Sequence, residues 1–496
     1  MTDIVANGTV ARWALAGEHR SLIGGELHDT ARTFPNVNPA TGEVIGYVAD
    51  CDETDATRAV AAARGAFDHG LWAHDPKFRR RCLLQLRDAL RVARERLREL
   101  IVAESGTPIM LTKGVQLETP IEDLGFWARM AAEYPYESSL PDLWAFGTRN
   151  RRLVRREPAG VVAAITPWNF PFYLNMSKVA PALASGCTVV LKPAPDTPWS
   201  ATELGRIVAE HTDIPAGVFN VVASSDHLVG TALTTSPDVD MVTFTGSTAT
   251  GRRIMADAAA TVKRLCLELG GKSAAVVLDD ADLEPVVKAC ARAIPVHAGQ
   301  SCALATRLLV PRAEYERCVQ IAAAAMASIP PADPTHPKTR HGPVISAAQR
   351  KRVIAYIDAA RVTCRLVTGG GIPDSPAGGF YVEPTLFADV DPNDPIAQEE
   401  VFGPVLAVIP HDGDDSAVRI ANNSRYGLGG TVWSGDTERA LSVARRIRTG
   451  TVAVNGALWL GPDTPVGGYR QSGLGREHGV AGFEEFLETK AMGLPA

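Results

Sequence analysis

The sequence lacks an excess of positive charge, a paired-cysteine motif and any long apolar run, and each shortage removes a class of function. Lys and Arg number 50 against 56 Asp and Glu, for a formal charge of -6. Holding a polyanion needs the opposite balance, so no nucleic-acid partner is expected. No apolar segment approaches the ~20 residues that span a bilayer. The opening Met1 to Arg20 carries Asp3, Arg12 and Glu18, so neither membrane insertion nor a secretory leader is expected. The eight cysteines, at 51, 82, 187, 266, 290, 302, 318 and 364, form no CxxC pair. Zinc clusters and small-domain disulfide frameworks are therefore not expected, which leaves reduced thiols in a cytoplasm and no metal site.

What the chain has is length and apolar content: 496 residues, 46% hydrophobic, enough for roughly two to four domains. Its most basic stretch, Lys77 to Arg98, mixes nine Lys or Arg with Asp88 and Glu95 and sets Leu83, Leu84, Leu90 and Leu97 between them. That reads as a solvated amphipathic helix. From Val161 onward, short β-branched runs alternate with Ala-rich helical stretches, the pattern of an α/β protein with a largely parallel sheet. Val161 to Ile165 is the first clear strand, and a helix to Ala184 followed by a strand Thr188 to Lys192 completes a βαβ unit. Further strands are expected at Val218 to Val222 and Met241 to Phe244, and a second α/β block from about Leu269 to Gly475. Such sheets bind ligands at the carboxyl ends of their strands, which points to Thr166 to Asn169, Lys192 to Asp196 and Thr245 to Ser247.

Three local features carry chemistry. Gly299-Gln300-Ser301-Cys302 interrupts an apolar stretch with small polar residues. This suits a thiol held at a turn, although a free cysteine is more often a small buried hydrophobe. Glu268 ends an apparent strand, Val262 to Leu267, before Leu269-Gly270-Gly271-Lys272. A carboxylate there either overhangs a cleft, with desolvation lifting its pKa towards that of a general base, or pairs with Lys272 at the surface. Phe244-Thr245-Gly246-Ser247 is a strand-to-helix turn where a phosphate can approach the helix N-terminus, and an ordinary N-cap explains it equally well.

Taken in order, Pro167-Trp168-Asn169-Phe170-Pro171, Lys192-Pro193, Phe244-Thr245-Gly246-Ser247, Glu268-Leu269-Gly270-Gly271-Lys272, Gly299-Gln300-Ser301-Cys302 and Glu399-Glu400-Val401-Phe402-Gly403-Pro404 resemble the aldehyde dehydrogenase superfamily over nearly the whole chain. The resemblance implies an aldehyde dehydrogenase-like α/β fold. A Rossmann-type cofactor domain would take residues 1–133 and 153–267, and an α/β catalytic domain 268–479. A small β oligomerisation element would take 134–152 and the tail 480–496, whose strand would pair with a neighbouring subunit of a homodimer or homotetramer.

The same resemblance implies oxidation of an aldehyde to a carboxylate with reduction of NAD(P)⁺. The Cys302 thiolate, partly ionised near neutral pH, would attack the carbonyl. The Asn169 amide and the Cys302 N–H would hold the oxyanion. Glu268 would activate the water that hydrolyses the thioester, favouring hydrolysis over acyl transfer to coenzyme A, with Glu477 relaying protons outward. NAD would meet Lys192 at the adenosine ribose, Gly246 and Ser247 at the pyrophosphate, and Glu400 with Phe402 at the nicotinamide ribose. Ile165, Thr166 and Trp168 complete the cofactor set, Ile165 and Trp168 at the nicotinamide end. Many NAD-preferring members place a glutamate three residues after the lysine. Pro195 stands there instead, with Asp196 one position on, so repulsion of a 2′-phosphate is missing and NADP stays possible. In the substrate pocket Phe170 and Tyr173 keep one aromatic wall. Ser177, Val296 and Val466 are small or β-branched where members acting on short aliphatic aldehydes carry large aromatics, which implies a bulky apolar or aromatic aldehyde. Two rivals stand beside this reading. One is a Cys/His hydrolase built on His297, which leaves Lys192, Ser247 and Glu400 without a role. The other is a catalytically silent protein on the same scaffold.

Overall fold

The computed structural model describes residues 16–458 and 460–495; most of the Met1 to Arg20 segment lies outside them. Strands Val161–Ile165, Thr188–Lys192, Phe219–Val221, Met241–Thr245 and Arg264–Glu268 run parallel in one eight-stranded sheet. Thr188–Lys192 and Met241–Thr245 are buried from end to end, as strands must be when helices cover both faces of a sheet. The chain starts the parallel set at Val161–Ile165, adds two strands on one side, then crosses over to add Met241–Thr245 and Arg264–Glu268 on the other. Loops leaving the two strands at the crossing point diverge, and a crevice opens above their carboxyl ends.

A second sheet of seven strands runs in the order Arg365–Thr368, Thr385–Ala388, Val405–His411, Arg307–Pro311, Ala274–Val277, Gly430–Trp433, Ala453–Val454. It is parallel except at its first pair. Glu268 ends a strand of the first sheet and Ala274 begins one of the second, so the five residues between them hold the two sheets' strand ends side by side. A third sheet joins Glu137–Ala145, Thr148–Pro158 and Leu487–Pro495. The tail strand, expected against a neighbouring subunit, pairs along one edge with Thr148–Pro158 of its own chain and leaves its other edge open.

Two expectations need correction. Val161–Ile165 is not the first strand: Ser21–Ile23, Glu26–His28, Thr33–Val37 and Val44–Ala49 precede it, too short and too mixed in burial to give an apolar run. The basic stretch is not one solvated helix, because it breaks at Ala93 into Pro76–Val92 and Arg94–Ser105. Arg79 and Arg98 within it are buried. The Arg79 guanidinium donates to the Trp72, Ala73 and Ala184 carbonyls, which satisfies the charge that the sequence suggested was in water.

Candidate active site

The crevice holds two cavities of about 200 and 250 Å³ that share Pro167, Thr245 and Gly246 and form one continuous groove. Around the first stand Trp168, Asn169, Gly246, Ser247, Glu268, Cys302, Glu400 and Phe402, brought together from both sheets. Around the second stand Ile165, Thr166, Lys192 and Pro195. Ile165, expected beside Trp168, thus lines the Lys192 compartment, because it ends its strand next to Lys192 in the sheet. The Thr166 hydroxyl is committed to Asn175 Oδ1 at 2.7 Å.

Cys302 sits where the second sheet's loops meet the first sheet's strand ends. The approach is close: a Cβ on Gly271 would lie 2.5 Å from the Cys302 carbonyl oxygen, and one on Gly299, at φ 72°, 2.2 Å from the Gly403 carbonyl oxygen. Only glycine fits either place. The Gln300 amide braces the loop by donating to His297 O at 3.2 Å while its Oε1 accepts from the Ile345 N–H at 2.9 Å. Against the expectation of a readily ionised thiol, the surroundings of Cys302 raise its pKa. Burial, the Glu268 charge and a hydrogen bond to that carboxylate push it well above its ordinary value, against the Ala303 N–H, which points the other way.

Glu268 is buried rather than paired with Lys272 at the surface, and its Oε2 has no hydrogen-bond partner. Burial first, then the negative charge of Glu477, raise it to about 8, partly offset by Cys302 and by Lys178. A buried carboxyl beside a thiol, with one oxygen free, is equipped to take a proton from either sulfur or water. Asn169 is held from three sides: its Nδ2 donates to Gln300 O at 3.0 Å, and its carbonyl accepts from Gln116 Nε2 at 3.1 Å and His297 Nε2 at 2.6 Å. One amide N–H of Asn169 is used in this way, leaving the second for a ligand. His297 is buried, which pulls it down to about 4, and as a neutral donor to a carbonyl it braces the Asn169 loop. Among the described residues no hydrogen bond joins His297 to Cys302, and its Nε2 is held by the Asn169 carbonyl, which argues against a Cys/His hydrolase.

Glu477 lies behind these groups, ion-paired to the fully buried Lys178 and 3.4 Å from the Thr245 hydroxyl. The sequence reading missed Lys178. Its signal was a lone lysine in the otherwise uncharged helical stretch Pro171 to Ser185, where only a buried partner makes the charge tolerable. Gln349 and Arg352 were missed as well and line the Cys302 cavity. On the groove floor, Ser247 caps helix Thr248–Ala258 by accepting the Thr250 N–H at 3.1 Å, and that helix N-terminus faces the cavity. Glu400 accepts the Gly271 N–H at 3.0 Å, and Phe402, at φ 58°, packs edge-on against Trp168 at 5.3 Å. Lys192 is buried and lowered to about 8, its ammonium making one long contact of 3.5 Å to Pro193 O.

The five residues expected around the substrate are not walls of the Cys302 cavity just described. Phe170 packs edge-on against His297 at 5.3 Å. Tyr173 is pushed up by burial and by the charges of Glu477, Asp123, Cys302 and Glu268, so its hydroxyl shares their surroundings. The Ser177 hydroxyl turns back onto Leu174 O of its own helix, Val296 is half-buried, and Val466 exchanges two 2.7 Å backbone hydrogen bonds with Glu477.

The model of the aldehyde dehydrogenase family matches residues 27–492. Geranial dehydrogenase of Castellaniella defragrans is 41% identical over 459 residues, 92% of this chain and 94% of its own. Aminoacetaldehyde dehydrogenase of Pseudomonas aeruginosa is 39% identical over 507 residues, covering 100% of both. Among solved structures, a cysteine-to-alanine mutant of an aldehyde dehydrogenase from Pseudomonas syringae, complexed with NAD⁺ and octanal, matches with a TM-score of 0.91 at 40% identity over 96% of each chain. Indole-3-acetaldehyde dehydrogenase complexed with NAD⁺ matches at 0.93, with 37% identity over 98% of each. The chain belongs to the aldehyde dehydrogenase family.

Proposed function

We propose that this enzyme oxidises an apolar or aromatic aldehyde to its carboxylate with NAD⁺, through a thioester on Cys302 that water hydrolyses. The observation that carries the reading is the trio of half-buried Cys302, buried Glu268 with its unpartnered oxygen, and buried Asn169, gathered in one compartment of a two-compartment groove. That groove fits a dinucleotide. It offers a helix N-terminus for the pyrophosphate, the Lys192 ammonium in one half and the Glu400 carboxylate in the other. NAD⁺ bound there supplies a hydride acceptor.

Glu268 takes the Cys302 proton, and the thiolate bonds to the aldehyde carbon. Negative charge forms on the aldehyde oxygen and is met by the free Asn169 N–H and the Cys302 backbone N–H. When that charge collapses the carbon loses hydride and the sulfur holds a thioester. Glu268, free to ionise again once its proton has passed outward by way of Glu477 and Lys178, takes a proton from water. Hydroxide adds to the thioester carbon, the C–S bond breaks, and the carboxylate leaves. Because Glu268 is an acid raised to about 8, it is protonated and inactive below that pH. Turnover should rise with pH, about tenfold per unit well below 8, and level above it; a flat kcat from acid to alkaline pH would contradict the assignment.

Pro195 is exposed and lines the Lys192 compartment. Pro195→Glu should sharpen preference for NAD⁺ over NADP⁺ by adding a carboxylate that bonds the 2′-hydroxyl and repels a 2′-phosphate. The ratio of kcat/KM for the two cofactors reads this, and an unchanged ratio would place residue 195 away from the ribose. For the substrate, relatives named for geranial and for indole-3-acetaldehyde, and the relative solved with octanal, support an apolar or aromatic aldehyde, of which each buried methylene adds about 0.8 kcal/mol. NADH formation with acetaldehyde, hexanal, octanal and benzaldehyde tests this: kcat/KM should climb with size, and a preference for acetaldehyde would refute it. We place the enzyme in the cytoplasm as a homodimer or homotetramer, a setting supported by its eight free cysteines and by the open edges of its third sheet.

A further inference from the structure

His478 is distinguished by its backbone and by its surroundings. It follows Glu477 directly and has φ 60° and ψ 168°, a backbone region that is essentially glycine's and that another residue keeps only where neighbours enforce it. Here they do. His478 Nε2 lies 3.1 Å from the Tyr173 hydroxyl, and the two rings stack at 5.9 Å and 24°. Trp127 covers the imidazole from another side at 6.3 Å. The residue is 4% exposed and its Nδ1 is buried without a partner, so it is held for its contact to Tyr173 at the expense of its other nitrogen. The charged groups facing it are Glu477 and Lys178.

Tyr173 lies on helix Pro171–Ser185, which begins just after Asn169 and also carries Lys178. The Tyr173 to His478 contact therefore ties the turn that presents Glu477 to the helix that presents its partner. Val466 pins the Glu477 backbone separately, but among the described residues no other side-chain hydrogen bond joins residues 477–479 to that helix except the Glu477 to Lys178 pair itself.

We propose that Tyr173 and His478 form a positioning pair that holds Glu477 against Lys178 and thereby sets the rate of the hydrolytic half of the reaction. The proposal rests on the thioester reading above, in which Glu477 stands behind Glu268. His478 acts through Glu477 and is a positioning residue.

Tyr173→Phe keeps the stacked ring and removes one oxygen, so it tests the hydrogen bond with little risk to folding. His478→Gln removes the imidazole while keeping a polar, unbranched side chain that is no more strained at this backbone than histidine. Each variant, their double, the parent and Glu268→Gln are mixed with NAD⁺ and hexanal, quenched over time and analysed for acylated Cys302 by mass. Acylation in the first turnover should proceed at the parent rate. Steady-state kcat should fall about tenfold, the scale of one lost hydrogen bond, with Cys302 largely acylated and KM for hexanal falling in proportion, so that kcat/KM is unchanged. The double variant should be no slower than the slower single, since both remove the same link. Additive losses, or slowed acylation with hydrolysis intact, would overturn the proposal. Absence of acyl-Cys302 in every variant, Glu268→Gln included, would instead overturn the thioester reading and the pair's role with it.

Discussion

Cys302→Ala is expected to lower aldehyde turnover by about five to six orders of magnitude, the scale of losing a covalent nucleophile, while cofactor affinity stays close to that of the parent. The asymmetry follows from the groove. Cys302 closes one end of the first cavity, whereas Ser247, Glu400, Phe402 and Lys192, which would carry the cofactor, lie along the rest of it and its continuation. None of the other seven cysteines lines either compartment of the groove: six are buried elsewhere, and Cys290, half-buried like Cys302, lies on helix Leu283–Ala293. Steady-state NADH formation together with NAD⁺ titration by fluorescence checks both halves. Normal turnover in the variant would remove Cys302 from the mechanism, and loss of NAD⁺ binding would show that the substitution disturbs the whole site.

Glu268→Gln should lower steady-state turnover by about 10² to 10⁴ while leaving the first equivalent of NADH per active site. Gln keeps the size and hydrogen-bonding reach of Glu but cannot take a proton. The first proton to be moved, from Cys302, can also be lost to solvent, because the variant lacks the Glu268 charge that helps to raise the thiol, so acylation should persist, faster towards alkaline pH, while hydrolysis does not recover. Parent-like turnover, within a few-fold across pH, would mean that another group is the base.

Much of this was legible in the sequence, and the legible parts have a common cause. Strands such as Thr188–Lys192 are buried on both faces, so they announce themselves as uninterrupted β-branched runs, and the motifs at their carboxyl ends mark the crevice. The short N-terminal strands Ser21–Ile23 and Glu26–His28 lack that pattern because three residues cannot establish a period. Cys302, Glu268 and Asn169 were readable as residues but not as electrostatics. Only the packing shows that Cys302 is desolvated and faces Glu268, which runs against the expectation of a readily ionised thiol. Lys178, His297 and His478 act through partners more than a hundred residues away, a relation that local spacing does not encode.

The most direct test of the account is the mass of the Cys302 peptide from Glu268→Gln enzyme quenched after mixing with NAD⁺ and a stoichiometric aldehyde. The account predicts one acyl group, of the mass of the substrate's acid less water, on Cys302 alone and only when NAD⁺ is present. Carboxylate production without any acylated Cys302, or acylation at another cysteine, would contradict it.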